Sequence, residues 1–302
     1  MAEIENATLC ILGCGNLGIA ILDGLANAPA KKPNHRVFNS VIACVRSESS
    51  ANRITTRFGT EGNIGVVRNN NVEAVQYADV IILGPDPADI ESVLRQPGLR
   101  EALSGKLLIS IAAGWTRQKL ETTLYGSPTT ANNVAGRAWV VRTLPNIAAQ
   151  VSQSLTAIET SELALPGKYL EVTTWIFEQI GKVVHVEPRL MNATTAVGGS
   201  TPAFFAVICD AMIDAAVAVG LPRDLAHTMI FQSMQGTATM LQSGVHPALL
   251  KDQGTSPEGC TIGGLMVMEE AGVRGHVGRA LREAVTLARL METTEHVNDT
   301  RH

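Results

Sequence analysis

The sequence predicts an α/β protein whose first half folds around a mostly parallel sheet and whose second half is all helix. Three observations carry that reading. From Thr8 to about Val186, short apolar runs alternate with helical stretches, the arrangement that builds βαβ units. After Glu187 the strand signals stop, and helical segments follow one another between Gly and Pro punctuation. The 302 residues, 45% apolar and 17% charged, hold enough material for a large core and for two domains. A boundary at Pro188 gives domains at 1–187 and 188–302.

Strands are expected at Thr8–Leu12, Val41–Val45, Ile64–Val67, Val80–Gly84, Leu107–Ile111, Val140–Leu144, Leu155–Ile158 and Val183–Val186. Several are nearly continuous in Val, Ile and Leu, as strands covered on both faces are. Ala28–Asn39, with two Pro, two Lys and no periodicity, reads as an inserted surface loop, and Gly126–Arg137 as a second loop. Helices are expected at Leu190–Val197, Pro202–Val219, Arg223–Gln242, Pro247–Gln253, Thr261–Ala271 and Arg274–Glu292. The polar tail Thr293–His302 is expected to be disordered. Ala203–Val219 is apolar nearly all round, so other helices must cover it, and a second copy of the chain is the expected source. Asp210 and Asp214 sit in its middle, where lipid would make two carboxylates expensive.

Charge and cysteine content narrow the function classes. Twenty-four Lys and Arg against 28 Asp and Glu give a net charge of −4, with no basic field for nucleic acid or an anionic membrane. Aromatic residues make up only 4% of the chain, too few for a base-stacking surface. Cys10, Cys14, Cys44, Cys209 and Cys260 form no CxxC pair and no zinc spacing, which predicts a reducing compartment and no structural metal. None of the seven histidines pairs with another ligand at helical metal spacing. The N-terminal MAEIENATLCILG has no basic region ahead of its apolar run, so no signal peptide is read there and a cytoplasmic location is expected.

The run TLCILGCGNLGIA carries the first functional signal. Gly13, Gly15 and Gly18 stand in GxGxxG spacing directly after a strand and at the mouth of a helix. The first glycine permits a tight turn, the second lets backbone approach a pyrophosphate, and the third lets helix pack on strand. With the amides of Asn16 and Leu17 they form the expected phosphate cradle of a Rossmann-type dinucleotide-binding domain. The second strand ends in Arg46 and Ser47 where an NAD-preferring unit carries an acid, and a guanidinium beside a hydroxyl suits a 2′-phosphate. NADPH is therefore the expected cofactor and NADH the second candidate, with Glu48 the ribose ligand if the strand runs two residues longer. Pro85, Ala112 and Asn146, each after a further strand, complete the expected cofactor-binding set.

In the second half, Gly198-Gly199-Ser200-Thr201-Pro202 and Gly254-Thr255-Ser256-Pro257-Glu258-Gly259-Cys260-Thr261 each precede a helix. Their free amides and hydroxyls make candidate anion sites, with ordinary helix capping as the alternative.

The run AVGGSTPAFFAVICDAMIDAAVAVGLPRDLA, followed by HPALLKDQGTSPEGCTIGGLMVMEEAGVRG, resembles the pyrroline-5-carboxylate reductase family. GCGNLGIA, ADVIILG, LLISIAAG and VRTLPNIAA are similar to it as well. The resemblance implies NAD(P)H-dependent reduction of a cyclic imino acid, 1-pyrroline-5-carboxylate to L-proline, by hydride transfer to the C=N carbon. It also implies an all-helical dimerisation domain and a homodimer, with a higher assembly of dimers left open. No metal, nucleic acid or membrane enters that reading. On these segments the expected catalytic hydroxyls are Thr261 and Ser200, and the expected substrate-binding residues are Gly199, Thr201, Thr255, Ser256, Gly259 and Cys260.

The chain also departs from the family pattern. A Lys-Pro pair usual after the fourth strand is replaced by Pro85-Asp86-Pro87, SGSGPAY becomes GGSTPAF, and TSPGGTT becomes TSPEGCT. Two further readings stand beside the first: a reductase of a larger or substituted cyclic imine, and an NADP-binding regulatory protein without turnover.

Overall fold

A computed structural model describes residues 6–28, 37–59, 62–160 and 165–293. Most of the loop expected at Ala28–Asn39, and all of the expected tail beyond Thr293, lie outside these residues. Two compact units divide the chain: Met1–Gly199 together with Val285–His302, and Ser200–Ala284.

The first unit is built on one eight-stranded sheet of order β3-β2-β1-β4-β5-β6-β7-β8. Its strands are β1 (Ala7–Leu12), β2 (Phe38–Val45), β3 (Ile64–Arg68), β4 (Val80–Leu83), β5 (Leu107–Ser110), β6 (Trp139–Leu144), β7 (Ser154–Glu159) and β8 (Gly181–Val186). Neighbours from β3 to β6 pair in parallel, and β1 sits between β2 and β4 with Leu9 opposite both Val41 and Val80. β6 and β7 pair antiparallel, Thr143 opposite Ile158. The reason is the short connection Pro145–Gln153, since a parallel crossover needs roughly a dozen residues or more.

Helices α1 (Asn16–Ala26), α2 (Glu48–Phe58), α3 (Asn71–Tyr77), α4 (Ile90–Leu94), α5 (Leu99–Ala102), α6 (Arg117–Tyr125) and α7 (Gly167–Glu178) link the strands. The period of two in a strand splits β1 between two cores. Leu9 and Ile11 pack in one cluster with Ile21, Leu22 and Phe177, whereas Cys10 and Leu12 pack in the other with Leu99, Leu103 and Leu120. This explains the unbroken apolar sequences of β1, β4 and β5, whose two faces are both buried.

A buried ionic cluster lies at the β6–β7 side of this unit. Arg142 on β6 reaches Glu292 at 2.8 Å and Glu159 on β7 at 3.7 Å, and Arg117 on α6 reaches Glu121 at 3.3 Å. Asn192 donates to the second Glu292 oxygen at 2.8 Å, and the Thr129 amide donates to Glu121 at 2.8 Å. Burial pushes the Glu159 carboxyl up, and Arg142 and Arg117 partly oppose that shift.

The helical part begins with a 3₁₀ turn at Pro188–Leu190, followed by α8 (Met191–Thr194) and a π-helical turn at Thr195–Ser200 that runs directly into α9 (Thr201–Ala218). It continues as α10 (Arg223–Gln242), α11 (Pro247–Gln253), α12 (Cys260–Glu270) and α13 (Val273–Thr293). Arg223 pairs with Asp214 at 2.8 Å, and Lys251 with Asp252. Between Ser200 and Ala284 only Cys209, Ile213 and Ala226 are buried, while Phe205, Val207, Met212, Met266 and Val267 lie exposed. Among the described residues Pro188–Ala218 is the one helix long and apolar enough, by length and composition, to cross a membrane. Asp210 and Asp214 lie within it, both exposed, and lipid would make two such carboxylates expensive.

Candidate active site

The glycine loop joins β1 to α1 at the carboxyl edge of the sheet, where the strand order turns from β1 to β4. Gly13 has φ +71°, and a Cβ there would lie 2.5 Å from the Pro85 nitrogen, so both its conformation and its neighbour require glycine. At Gly18 a Cβ would meet Cys14 Sγ at 2.9 Å and Ile11 at 3.3 Å, so its bareness lets α1 rest on β1. Gly15 differs: the nearest atom to its Cβ position is the Gly13 oxygen at 4.0 Å, which leaves open space beside the loop. No side chain caps α1, and its first turn carries no acid, so the amides of Asn16, Leu17 and Gly18 face that space with the positive end of the helix dipole. These features fit a dinucleotide pyrophosphate.

A cleft extends from this loop across the ends of β2 and β4. Gly13, Cys14 and Gly15 line one part of it, Arg46, Ser47 and Ser50 another, and Pro85, Asp86 and Asp89 the opposite wall. Ser47 caps α2 by accepting from the Ser50 amide at 3.2 Å. Arg46 is exposed and donates to Asp89 at 3.1 Å. Glu48 pairs with Arg68 at 3.7 Å. Asp86 accepts from the Ala88 amide at 3.0 Å, which fixes the β4–α4 turn. Asn16 accepts from Arg53 on α2 at 2.9 Å. Sequence reading did not single out Arg53, Ser50 or Asp89. Ser50 lies three positions after Ser47 and Arg53 three after Ser50, successive helical neighbours and a signal available without coordinates, but Asp89 has no such signal.

Two further cofactor candidates have structural partners. Ala112 is buried, and its amide donates to Ser110 Oγ at 3.3 Å. Asn146 donates to the Gly198 carbonyl at 2.7 Å and accepts from the Ala148 amide at 3.1 Å. Pro202 explains the first of these bonds: lacking an N–H, it leaves the carbonyl four residues earlier, Gly198, without its helical donor.

The two candidate substrate segments differ. The anion site expected where a helix starts at Gly199–Pro202 has no free helix start, because the chain is already helical from Met191 through the π turn. Ser200 has helical φ −91° and ψ −28° and makes no side-chain cap. The reason is that a π turn takes up Gly198 and Gly199 without breaking the helix. Gly199 is exposed, and Ser200 and Thr201 are half-buried.

By contrast, α12 does begin where expected. Its N-cap Gly259 is extended, at φ −75° and ψ 161°, and carries no side-chain cap. Cys260 and Thr261 lie exposed in its first turn, and Ser256 is exposed before it. Thr255 spends its hydroxyl proton on the Lys251 carbonyl at 2.6 Å, so as a substrate contact it has only an acceptor to offer. Glu258 adopts φ +57°, a left-handed conformation that glycine takes without cost.

A glycine-loop cradle at a parallel sheet edge and a helical unit with an uncapped helix start define a dinucleotide-dependent oxidoreductase with a separate helical module. Comparison with known proteins sharpens that class. Residues 188–291 match the model for pyrroline-5-carboxylate reductase dimerisation, and residues 8–114 match the model described as NADP oxidoreductase, coenzyme F420-dependent. The chain is 43% identical to pyrroline-5-carboxylate reductase of Lophium arboricola, over 99% of this chain and 98% of that one. It is 39% identical to the enzyme of that name from Neurospora crassa, over 99% and 97% of the two chains. Among solved structures, Plasmodium falciparum pyrroline carboxylate reductase with NADP bound superposes with a TM-score of 0.79 at 25% identity, covering 96% of this chain and 100% of that one. The chain belongs to the pyrroline-5-carboxylate reductase family.

Proposed function

We propose that the protein reduces 1-pyrroline-5-carboxylate to L-proline with NADPH. The carrying observation is the likeness to reductases of that name along the whole chain, 43% identical over 99% of it. Bound NADPH supplies the hydride that the electrophilic C=N carbon accepts. The amides of α1 hold the pyrophosphate, and Arg46 with Ser47 takes the 2′-phosphate. In the helical unit, the uncapped first turn of α12 and the residues Ser256, Gly259 and Cys260 fix the substrate carboxylate, while Thr261 directs its hydroxyl to the ring nitrogen. Gly199, Ser200, Thr201 and Thr255 belong to the same reading. Ala112 and Asn146 stay in the cofactor set as backbone supports for its nicotinamide end.

A homodimer formed through the helical domain, over the span 188–291 that matches the dimerisation model, accounts for the apolar residues left exposed on α9 and α12. Five cysteines free of disulfides accord with work in the cytoplasm.

Purified protein should oxidise NADPH when given 1-pyrroline-5-carboxylate. The six-membered analogue tests the second reading, which Glu258 favours because a strained side chain now stands in the candidate substrate loop. Preference for the larger ring would move the assignment to that substrate. NADPH binding without oxidation in the presence of either imine would make the protein a cofactor-binding regulator.

A further inference from the structure

We propose that Asp89 is a specificity-determining residue that competes with the 2′-phosphate of NADPH for Arg46. This rests on the reading of Arg46 as the 2′-phosphate ligand. The residues stand on opposite walls of the dinucleotide cleft, Arg46 after β2 and Asp89 at the start of α4, yet their side chains meet at 3.1 Å.

Asp89 occupies the N-cap position of α4, where an aspartate ordinarily accepts an amide of its own first turn, but it makes no side-chain cap. Its carboxylate is given to the guanidinium instead. The neighbouring Asp86 shows the contrast, because its carboxylate accepts from the Ala88 amide and serves the turn. A cleft-lining acid with no local duty, paired across the cleft with the residue that suits a phosphate, is a built-in rival for that phosphate.

The pair is exposed, at 83% for Arg46 and 41% for Asp89, so it separates readily when a more highly charged partner arrives. NADPH must displace Asp89 to claim both guanidinium edges, whereas NADH brings no phosphate and leaves the pair intact. Asp89 thereby lowers the preference for NADPH over NADH without touching the nicotinamide end. The charge is in addition to the acid already standing where the family usually has Lys-Pro.

The test is direct cofactor binding by calorimetry or fluorescence on the full chain. Asp89→Asn removes the charge and keeps the shape. It should tighten NADPH about three- to tenfold, the scale of one exposed charge contact, and leave NADH within about twofold. The gain should shrink in high salt. In an Arg46→Ala background Asp89→Asn should give no gain, because nothing is left to compete for. Unchanged or weaker NADPH binding in Asp89→Asn overturns the proposal, and retained NADH binding shows that such a result is not misfolding. A full gain that survives in Arg46→Ala also overturns it, by assigning the effect to direct repulsion. If Arg46→Ala alone fails to weaken NADPH, the reading of Arg46 itself fails, a result separate from the other two.

Discussion

The two units of this chain solve the burial problem differently. In the sheet unit, successive β1 residues serve opposite cores, and Leu9, Ile11, Leu12, Ile81 and Ile82 are fully buried. In the Ser200–Ala284 unit three residues are buried, and Val207 on α9 is 70% exposed in a helix with almost no polar face. The sheet unit therefore has a complete core within one chain, while the helical unit has apolar surface in need of cover. The proposed binding features follow the same division, with a glycine cradle formed inside one unit and an uncapped helix start on the other.

The largest expected effect comes from attacking the uncovered face. Val207→Glu should leave NADPH binding in place but abolish the dimer in sedimentation, since it forces a carboxylate into the surface that a second copy would bury. Turnover should fall by roughly a hundredfold or more, as expected when several kcal/mol of interface are lost. A fully active Val207→Glu dimer would break the comparison at its root and return the α9 face to solvent.

Next comes the hydroxyl on α12. Thr261→Val keeps the shape and deletes the donor, so kcat/KM for the imine should fall roughly ten- to a thousandfold with NADPH affinity little altered. Ser200→Ala is the companion test, and the absence of a free helix start at Ser200 makes Thr261 the more sensitive of the two. Wild-type turnover by both variants would reduce these hydroxyls to helix-forming residues.

In the sheet unit the corresponding test is Arg46→Asp. It inverts the charge proposed to meet the 2′-phosphate and should weaken NADPH by roughly ten- to a hundredfold, with NADH changed far less. Tighter binding of NADH than NADPH by the unaltered protein would exclude this assignment. Glu48, exposed and 3.7 Å from Arg68, or Asp86 on the cleft wall would then become the suspected ribose ligand.

These tests also mark where the sequence was informative. Hydrophobic runs located all eight strands: burial on both faces writes itself into unbroken Val, Ile and Leu in β1, β4 and β5, while the outer strands β3 and β8, with no buried residue, kept only short Val and Ile pairs. The glycine loop was legible because each glycine answers a local need. Other features depend on partners distant in sequence. Asp89 meets Arg46 from 43 positions away, and Asn146 meets Gly198 from 52, so no spacing pattern announces either. The π turn was missed because a Gly-Gly-Ser-Thr-Pro run reads as a helix start, although glycines also fit a widened turn within a continuing helix. The buried ionic cluster likewise joins β6, β7, α6 and α13, and only the fold brings those charges together.

That cluster supplies the smallest predicted effect. Arg117 and Arg142 oppose Glu121, Glu159 and Glu292, leaving one negative charge in excess. Desolvation raises the Glu159 pKa, and the two guanidiniums oppose the rise without cancelling it. A carboxyl whose pKa is higher folded than unfolded contributes stability that is fully present below the unfolded value, about 4.3, and lost as pH climbs through the folded value. Glu159→Gln is neutral at every pH and lacks that loss. It leaves two charges of each sign at neutral pH, so the fold should tolerate it within about 1 kcal/mol. Urea unfolding at steps from pH 4 to pH 8 should therefore show the variant gaining on the unaltered protein as pH rises, then running parallel once Glu159 is fully ionised. A constant difference across the range would show that folding leaves the Glu159 pKa unshifted, and a variant that loses ground as pH rises would show that Arg142 and Arg117 hold it ionised; either outcome contradicts the upward shift.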